Sequence, residues 1–229
     1  MNGKRIRVWD LPTRLFHWLL AAAVVAAVAT GLLGGALMDW HGRIGLFIVG
    51  LLAFRIVWGV IGSTYARFAH FFPTPGRVVS YLRGEWRGEG HNPLGALSVF
   101  GLLALLTAQV ATGLVGNDDI TFRGPLYDLV TKDISNRMTG IHYLLSNALY
   151  VLVALHVAAV MFYAHAKKQN LVRPMLTGWK EGGEAESARG GGLAAFVAAL
   201  LVAAAVVYGA SGAWIPPPPP PAAVETPDF

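Results

Sequence analysis

Seven histidines stand at positions 17, 41, 70, 91, 142, 156 and 165 of a 229-residue chain that contains no cysteine. Imidazole is both a metal ligand and a titrating group near neutral pH. In so apolar a chain each one is costly to bury and is a functional candidate on that ground alone. His142 and His156 are 14 residues apart; on a helix that is just under four turns, so they share a face about 21 Å apart along the axis. Each needs a partner at its own depth. His41 opens one apolar segment level with His142, and His17 opens another level with His156. Two imidazole pairs on two levels match two stacked b-type haems, each iron taking one imidazole from either side. The interior of a helix bundle is where such groups are held.

Two further residues share the spacing. Arg55 follows His41 by 14 residues, at the level of the His17–His156 pair. A buried guanidinium needs an anion, and a haem propionate would supply one. Gly31 follows His17 by 14 residues and so faces the other haem, where a missing side chain admits a flat porphyrin. The remaining histidines have simpler readings. His165, nine residues after His156, is half a turn out of phase and marks a membrane boundary. His70 lies in a polar stretch and reads as surface. His91 is the rival to His17 as a ligand; its own reading is capping, or contact with a haem edge or a quinone. A lone membrane histidine is explained by a hydrogen bond to a neighbouring helix, but two depth-matched pairs are not.

The elements that must hold these residues are apolar helices. Hydrophobic residues make up 55% of the chain and charged residues 14%, with mean hydropathy +0.51. Apolar segments run over about 15–37, 42–62, 94–116, 142–164 and 193–213. Each is long enough to cross the hydrocarbon core, where helix is the only solution for a single segment. The fold class is therefore an all-α membrane protein: a four-helix transmembrane haem-binding bundle plus a fifth C-terminal transmembrane helix. Residues 1–180 hold the bundle, 181–192 a Gly-rich linker, 193–213 the fifth helix and 214–229 a Pro-rich tail, with Pro216 to Pro221 as a stiff spacer. The stretches 63–93 and 117–140 read as polar loops. Without cysteine there are no disulfides, thiolate metal sites, iron–sulfur clusters or covalent haem attachment. The basic start before the first apolar run resembles a signal peptide, but that run is too long for one and is taken as a retained helix.

With the N-terminus inside, thirteen Lys and Arg fall on the inner side and four, Arg43, Arg123, Lys132 and Arg137, on the outer. That bias makes the N-terminus cytoplasmic and, with five spans, puts the C-terminus outside. His17 and His156 are then the inner pair, His41 and His142 the outer. Val28-Ala29-Thr30-Gly31-Leu32 returns as Val110-Ala111-Thr112-Gly113-Leu114, which points to two helices needing a small residue at the same depth.

The run from Arg7 to Trp18 resembles the opening of bacterial cytochrome b561 proteins and of the b-type cytochrome subunit of nickel–iron hydrogenases. Trp40 to Gly45, Phe54 to Gly59, Gly90 to Gly95, Ile141-His142 and Leu155-His156 are similar to that family's later signatures. The resemblance covers about residues 5–180 and leaves the fifth helix and tail outside it. It implies a diheme bundle in the bacterial inner membrane, with ligands on His17, His41, His142 and His156. It further implies electron exchange between the quinone pool and a partner redox protein.

The first functional expectation is thus an electron-transfer subunit, not a stand-alone enzyme. It works between quinone and a c-type cytochrome or hydrogenase, and the haems carry the chemistry. The alternative is a superoxide:quinone oxidoreductase, which needs a cationic outer surface. Asp39, Asp118, Asp119, Asp128 and Asp133 offset the outer cations and suit a basic protein partner instead. A histidine-based zinc or copper carrier is the third reading, and paired histidines without carboxylate or Met ligands fit it poorly.

Overall fold

The computed structural model describes residues 5–181 and 186–216. Gly182 and Gly183 of the expected linker, and the expected proline spacer from Pro217 onward, lie outside the described residues. The chain runs β1 (Arg5–Arg7), α1 (Leu11–Leu33), α2 (Met38–Ile61), α3 (Phe68–Phe71), α4 (Pro75–Leu82) and α5 (Pro93–Leu114). It continues as α6 (Lys132–His165), α7 (Val172–Thr177), β2 (Trp179–Glu181) and α8 (Gly192–Ala210). Five of these helices, α1, α2, α5, α6 and α8, are long and apolar enough to cross a membrane. The protein is a mostly helical multi-pass membrane bundle.

The first helix begins earlier than hydropathy suggests because its start is a polar cap. Asp10 Oδ1 accepts from the Thr13 backbone N–H at 2.7 Å, and Pro12 occupies the first turn, where a missing N–H removes nothing. Asp10 Oδ2 accepts from Trp58 Nε1 at 3.0 Å, so the same carboxylate ties α1 to the end of α2. Asp10→Ala loses a cap of about 1 kcal/mol and strands the buried Trp58 N–H at about 1–3 kcal/mol. The expected result is a clear fall in the unfolding midpoint in detergent, with Asp10→Asn intermediate. At the other end α1 stops at Gly34 and Gly35, with φ +64° and +56°, conformations glycine adopts without strain. A single 3₁₀ turn leads into α2. Trp40 and His41 therefore lie in the first turn of α2.

The N-terminal segment is bound to the segment after α6. β1 pairs antiparallel with β2, Arg5 opposite Glu181 and Arg7 opposite Trp179. Val8 N donates to Gly178 O at 2.9 Å, Arg14 Nη1 to Leu176 O and Trp18 Nε1 to Met175 O at 3.3 Å. This two-stranded sheet has no hydropathy signature. The polar stretch 63–93 also holds structure, the short helices α3 and α4.

The stretch 117–140 is only partly loop. Thr131 caps α6, which starts at Lys132 and is about 51 Å long by helical rise, well beyond a ~30 Å hydrocarbon core. Its polar first turns fold because the preceding loop satisfies them. Ser135, fully buried, donates to Val115 O at 2.7 Å. Asn117 Nδ2 donates to Ser135 Oγ at 2.6 Å and to Asn136 Oδ1 at 2.9 Å.

Within the membrane α1 packs on α2, α2 on α5 and α5 on α6. Buried Ala23, Ile48, Leu52, Leu106 and Leu149 fill the centre. The fifth helix lies against α2. Ala199 and Ala203 are buried, Phe196 meets Phe54 and Trp58 edge-on at 5.8 and 6.2 Å, and Val207 sits over Gly50. Small residues let the two helices approach closely in the absence of a hydrophobic drive between them.

Candidate functional site

Four histidines meet as two pairs. The rings of His17 on α1 and His156 on α6 are 6.5 Å apart between centres; those of His41 on α2 and His142 on α6 are 6.0 Å apart. Metal–imidazole bonds of about 2.0–2.1 Å, with ~1.1 Å from nitrogen to ring centre, put two trans imidazoles on one metal roughly 6.3 Å apart. Both pairs are close to that spacing. α6 packs chiefly on α5; toward α1 and α2 it offers Leu149, in the cluster with Ala23, Ile48 and Leu52, and the two histidine rings. No three or more His, Asp or Glu side chains converge among the described residues. Cavities of about 210 Å³ near Asp10 and Ser63 and about 90 Å³ under the outer loop contain no histidine.

The His41–His142 pair, outer in the orientation expected from the charge bias, is held by matching devices. His41 Nδ1 is 2.9 Å from Ala27 O, and His142 Nδ1 is 2.9 Å from Gln109 O. A carbonyl on Nδ1 fixes the tautomer that leaves Nε2 free for a metal. Thr30 and Thr112 each donate back to carbonyls in the turn before them. A Cβ on Gly31 would stand 3.0 Å from His41 Cε1 and Nδ1; one on Gly113 would stand 3.0 Å from His142 Cε1 and 3.3 Å from Nδ1. The repeated five residues are therefore two copies of one imidazole cradle: a glycine under the ring and a carbonyl one turn before it. Gly31 lies against the His41 ring. A Cβ on Gly45, one turn after His41, would meet nothing within 4 Å, leaving that face of α2 open to a flat group. The Gln109 amide lies 3.0 Å from His142 Nε2, so ligation there requires that amide to turn aside.

The inner end is built differently. His17 Nδ1 is buried and has no hydrogen-bond partner among the described residues. Arg55 is buried, 3% exposed, with its guanidinium 4.5 Å over Phe68 and 5.9 Å from Phe16. Its Nη1 also lacks a partner. His91 sits between Trp9 at 4.6 Å and Phe71 at 4.4 Å, not against His156. It is not the cap either: Asn92 Oδ1 accepts from Gly95 N at 2.7 Å and caps α5. Burial, with Arg55 and His17 adding to it, pushes the His91 imidazole down to about 3. His70 lies at the surface edge-on to Tyr65, and His165 bonds only Met161 O of its own helix.

The sequence reading did not single out Ala27, Gln109, Phe68 or Phe71. The first two act through backbone oxygens, which any residue supplies, although the repeat did point to their turns. The two phenylalanines lie in a polar stretch with no periodic signal. These rings, carbonyls and orphan donors suit a planar metal chelate carrying anionic groups.

The family model described as prokaryotic cytochrome b561 matches residues 8–178. No curated protein and no solved structure matches the chain.

Proposed function

The chain belongs to the prokaryotic cytochrome b561 family, and we propose that it serves electron transfer with two haems b, between membrane quinone and a separate redox protein. Membership makes it a transmembrane b-type cytochrome with haem b as cofactor. When bound, haem supplies a reversible one-electron centre. The residues present fit it: two imidazole pairs with ring centres 6.5 and 6.0 Å apart that would hold it, Nδ1 atoms at the outer pair bonded to carbonyls, and a buried guanidinium that would take an anion.

His17 and His156 hold the inner group and His41 and His142 the outer one. Arg55 takes a propionate of the inner group. Gly31 makes room for the His41 ring and so for the outer group. The two levels are separated by the apolar layer of Ala23, Ile48, Leu52, Leu106 and Leu149, which keeps water and protons out of the path between them. Residues 1–180 form the haem-binding unit and 181–192 lead to the fifth helix. The N-terminus lies in the cytoplasm of a bacterial inner membrane. The bonds tying β1 and the start of α1 to residues 175–181 support this, because they put both ends of the four-helix unit on one side. The partner is a c-type cytochrome or a hydrogenase docking outside. For the stand-alone superoxide reading the outer cations are poorly available, since Lys132 pairs with Asp119 at 3.0 Å and Arg123 lies over Tyr127.

The observation that carries this reading is the meeting of four histidines as two pairs at 6.5 and 6.0 Å. A pyridine haemochrome assay on the purified protein tests it. The expected count is two haems b per chain, low-spin in the reduced-minus-oxidised spectrum. A count of one leaves one pair structural, and none would sink the proposal.

A further inference from the structure

Buried donors without partners are unevenly distributed. Thr13 Oγ1, Arg14 Nε, His17 Nδ1, Arg55 Nη1 and His91 Nδ1 all lie at the inner end, whereas at the outer pair both Nδ1 atoms have carbonyl partners. A buried guanidinium without an anion is strongly unfavourable. Asp10 is the carboxylate that acts on Arg55, but its two oxygens already accept from Thr13 N and Trp58 Nε1. Arg55 forms no ion pair among the described residues. No described residue supplies its anion, and a ligand carboxylate would.

The short helix α3 sets where that ligand's edge lies. Phe68 is under Arg55 at 4.5 Å, Phe71 is against His91 at 4.4 Å, and the two rings are 5.9 Å apart on one turn. Phe68 is itself seated on Gly59 of α2, where any Cβ would overlap the ring. Arg55 and His91 are thus two donors over two adjacent rings of one rigid platform. A haem b edge carries two carboxylates on neighbouring pyrroles, a matching pair of acceptors.

We propose that His91 is not an iron ligand but the second propionate anchor of the inner haem, Arg55 holding one carboxylate and His91 Nδ1–H donating to the other. This rests on the two-haem reading above. Tilted contacts with Trp9 at 4.6 Å and Phe71 at 4.4 Å confine the imidazole from two sides, so the hydrogen bond forms with little further ordering of the side chain. Both anchors then act on one haem alone and separate the potentials of two otherwise similar bis-histidine centres. Withdrawing a donor leaves more negative charge at the propionate, which favours ferric iron and lowers the potential.

The test uses His91→Phe, which keeps an aromatic ring in the sandwich, and His91→Asn, whose amide nitrogen stands close to the position of Nδ1. Potentiometric titration of the full chain resolves the two haems, and Arg55→Gln marks the inner one by moving its potential. The expected result for His91→Phe is a tenfold shift in that haem's one-electron equilibrium, about 59 mV, with the outer potential unchanged and most of the shift restored in His91→Asn. Redox-difference infrared spectra with ¹³C-labelled propionate carboxyls should show one carboxylate band moved in His91→Phe. Loss of the inner haem from His91→Phe but not from His91→Asn would support the assignment equally. Two haems with unchanged potentials and bands in His91→Phe would overturn it while leaving the two-haem reading intact. So would loss of the inner haem from both variants. Absence of haem from the unaltered protein would instead defeat the reading on which it rests.

Discussion

His156→Ala should leave one haem per chain where two are expected of the unaltered protein, and His142→Ala should do the same for the other. The two histidines project from α6 toward different helices, His156 toward His17 on α1 and His142 toward His41 on α2. Loss of one therefore leaves the other pair's rings and cradle untouched. Even outer-shell partners of metal sites are worth about 10–100-fold in affinity; a ligand on a buried iron should exceed that. The expected occupancy at the altered level is near zero after detergent purification. The two variants should differ in which potential and which α-band component disappears. Free imidazole in the growth medium or buffer fits the space left by the side chain and should restore part of the missing haem. If either variant retained two low-spin haems, the histidine removed would not be a ligand. If either lost both, the two levels would form a single cooperative unit and not two separable sites.

The second large effect is expected from Gly31→Val and Gly113→Val, neither of which alters a ligand. A Cβ alone would come within 3.0 Å of His41 or His142, tighter than side chains normally tolerate, and valine adds two methyl groups with little rotamer freedom. The ring must tilt away, and its Nδ1 then loses Ala27 O or Gln109 O. Both the aim of Nε2 and the tautomer go with it. Selective loss of the outer haem should follow, with the inner haem and its potential retained. Gly140→Val is the matched control, on the same helix as His142 but exposed and with nothing within 4 Å of its Cβ; it should keep both haems. Retention of two haems in the Gly31 and Gly113 variants would show that the cradle is incidental packing.

Much of this arrangement is legible in the sequence because helices turn spacing into position. His142 and His156 can be placed on one face by counting, and their partners by depth, since a membrane fixes where each segment begins and ends. The repeated glycine could be located at a shared depth, but not its neighbour. That it backs an imidazole depends on the rotation of α1 against α2 and of α5 against α6, which hydropathy does not encode. The same limit hid the outer third of α6. Residues 132–141 are too polar to read as membrane helix and are helical because Ser135, Asn136 and Thr139 bond to the loop around Asn117. His91 illustrates a third case. Its standing as a rival to His17 can be read from the sequence, but its place against Trp9 and Phe71, which arrive from the N-terminal segment and from α3, cannot. The pairing of β1 with β2 joins residues more than 170 positions apart, and no local pattern announces it.

The sparse packing of α6 on α1 and α2 bears on how the protein is made. Each proposed centre takes one histidine from the first helical hairpin and one from the last helix of the second. Neither can be completed until α6 has left the ribosome, however early the first two helices insert. Once α6 is in place, His142 enters before His156 in chain order, so the outer centre is the first that could close. Each iron would then act as a rivet between halves synthesised at different times, and cofactor supply becomes a checkpoint on assembly. A chain starved of haem would lack both rivets, and its two halves would be held by the contact of α2 with α5, the apolar layer around Leu149 and the pairing of β1 with β2.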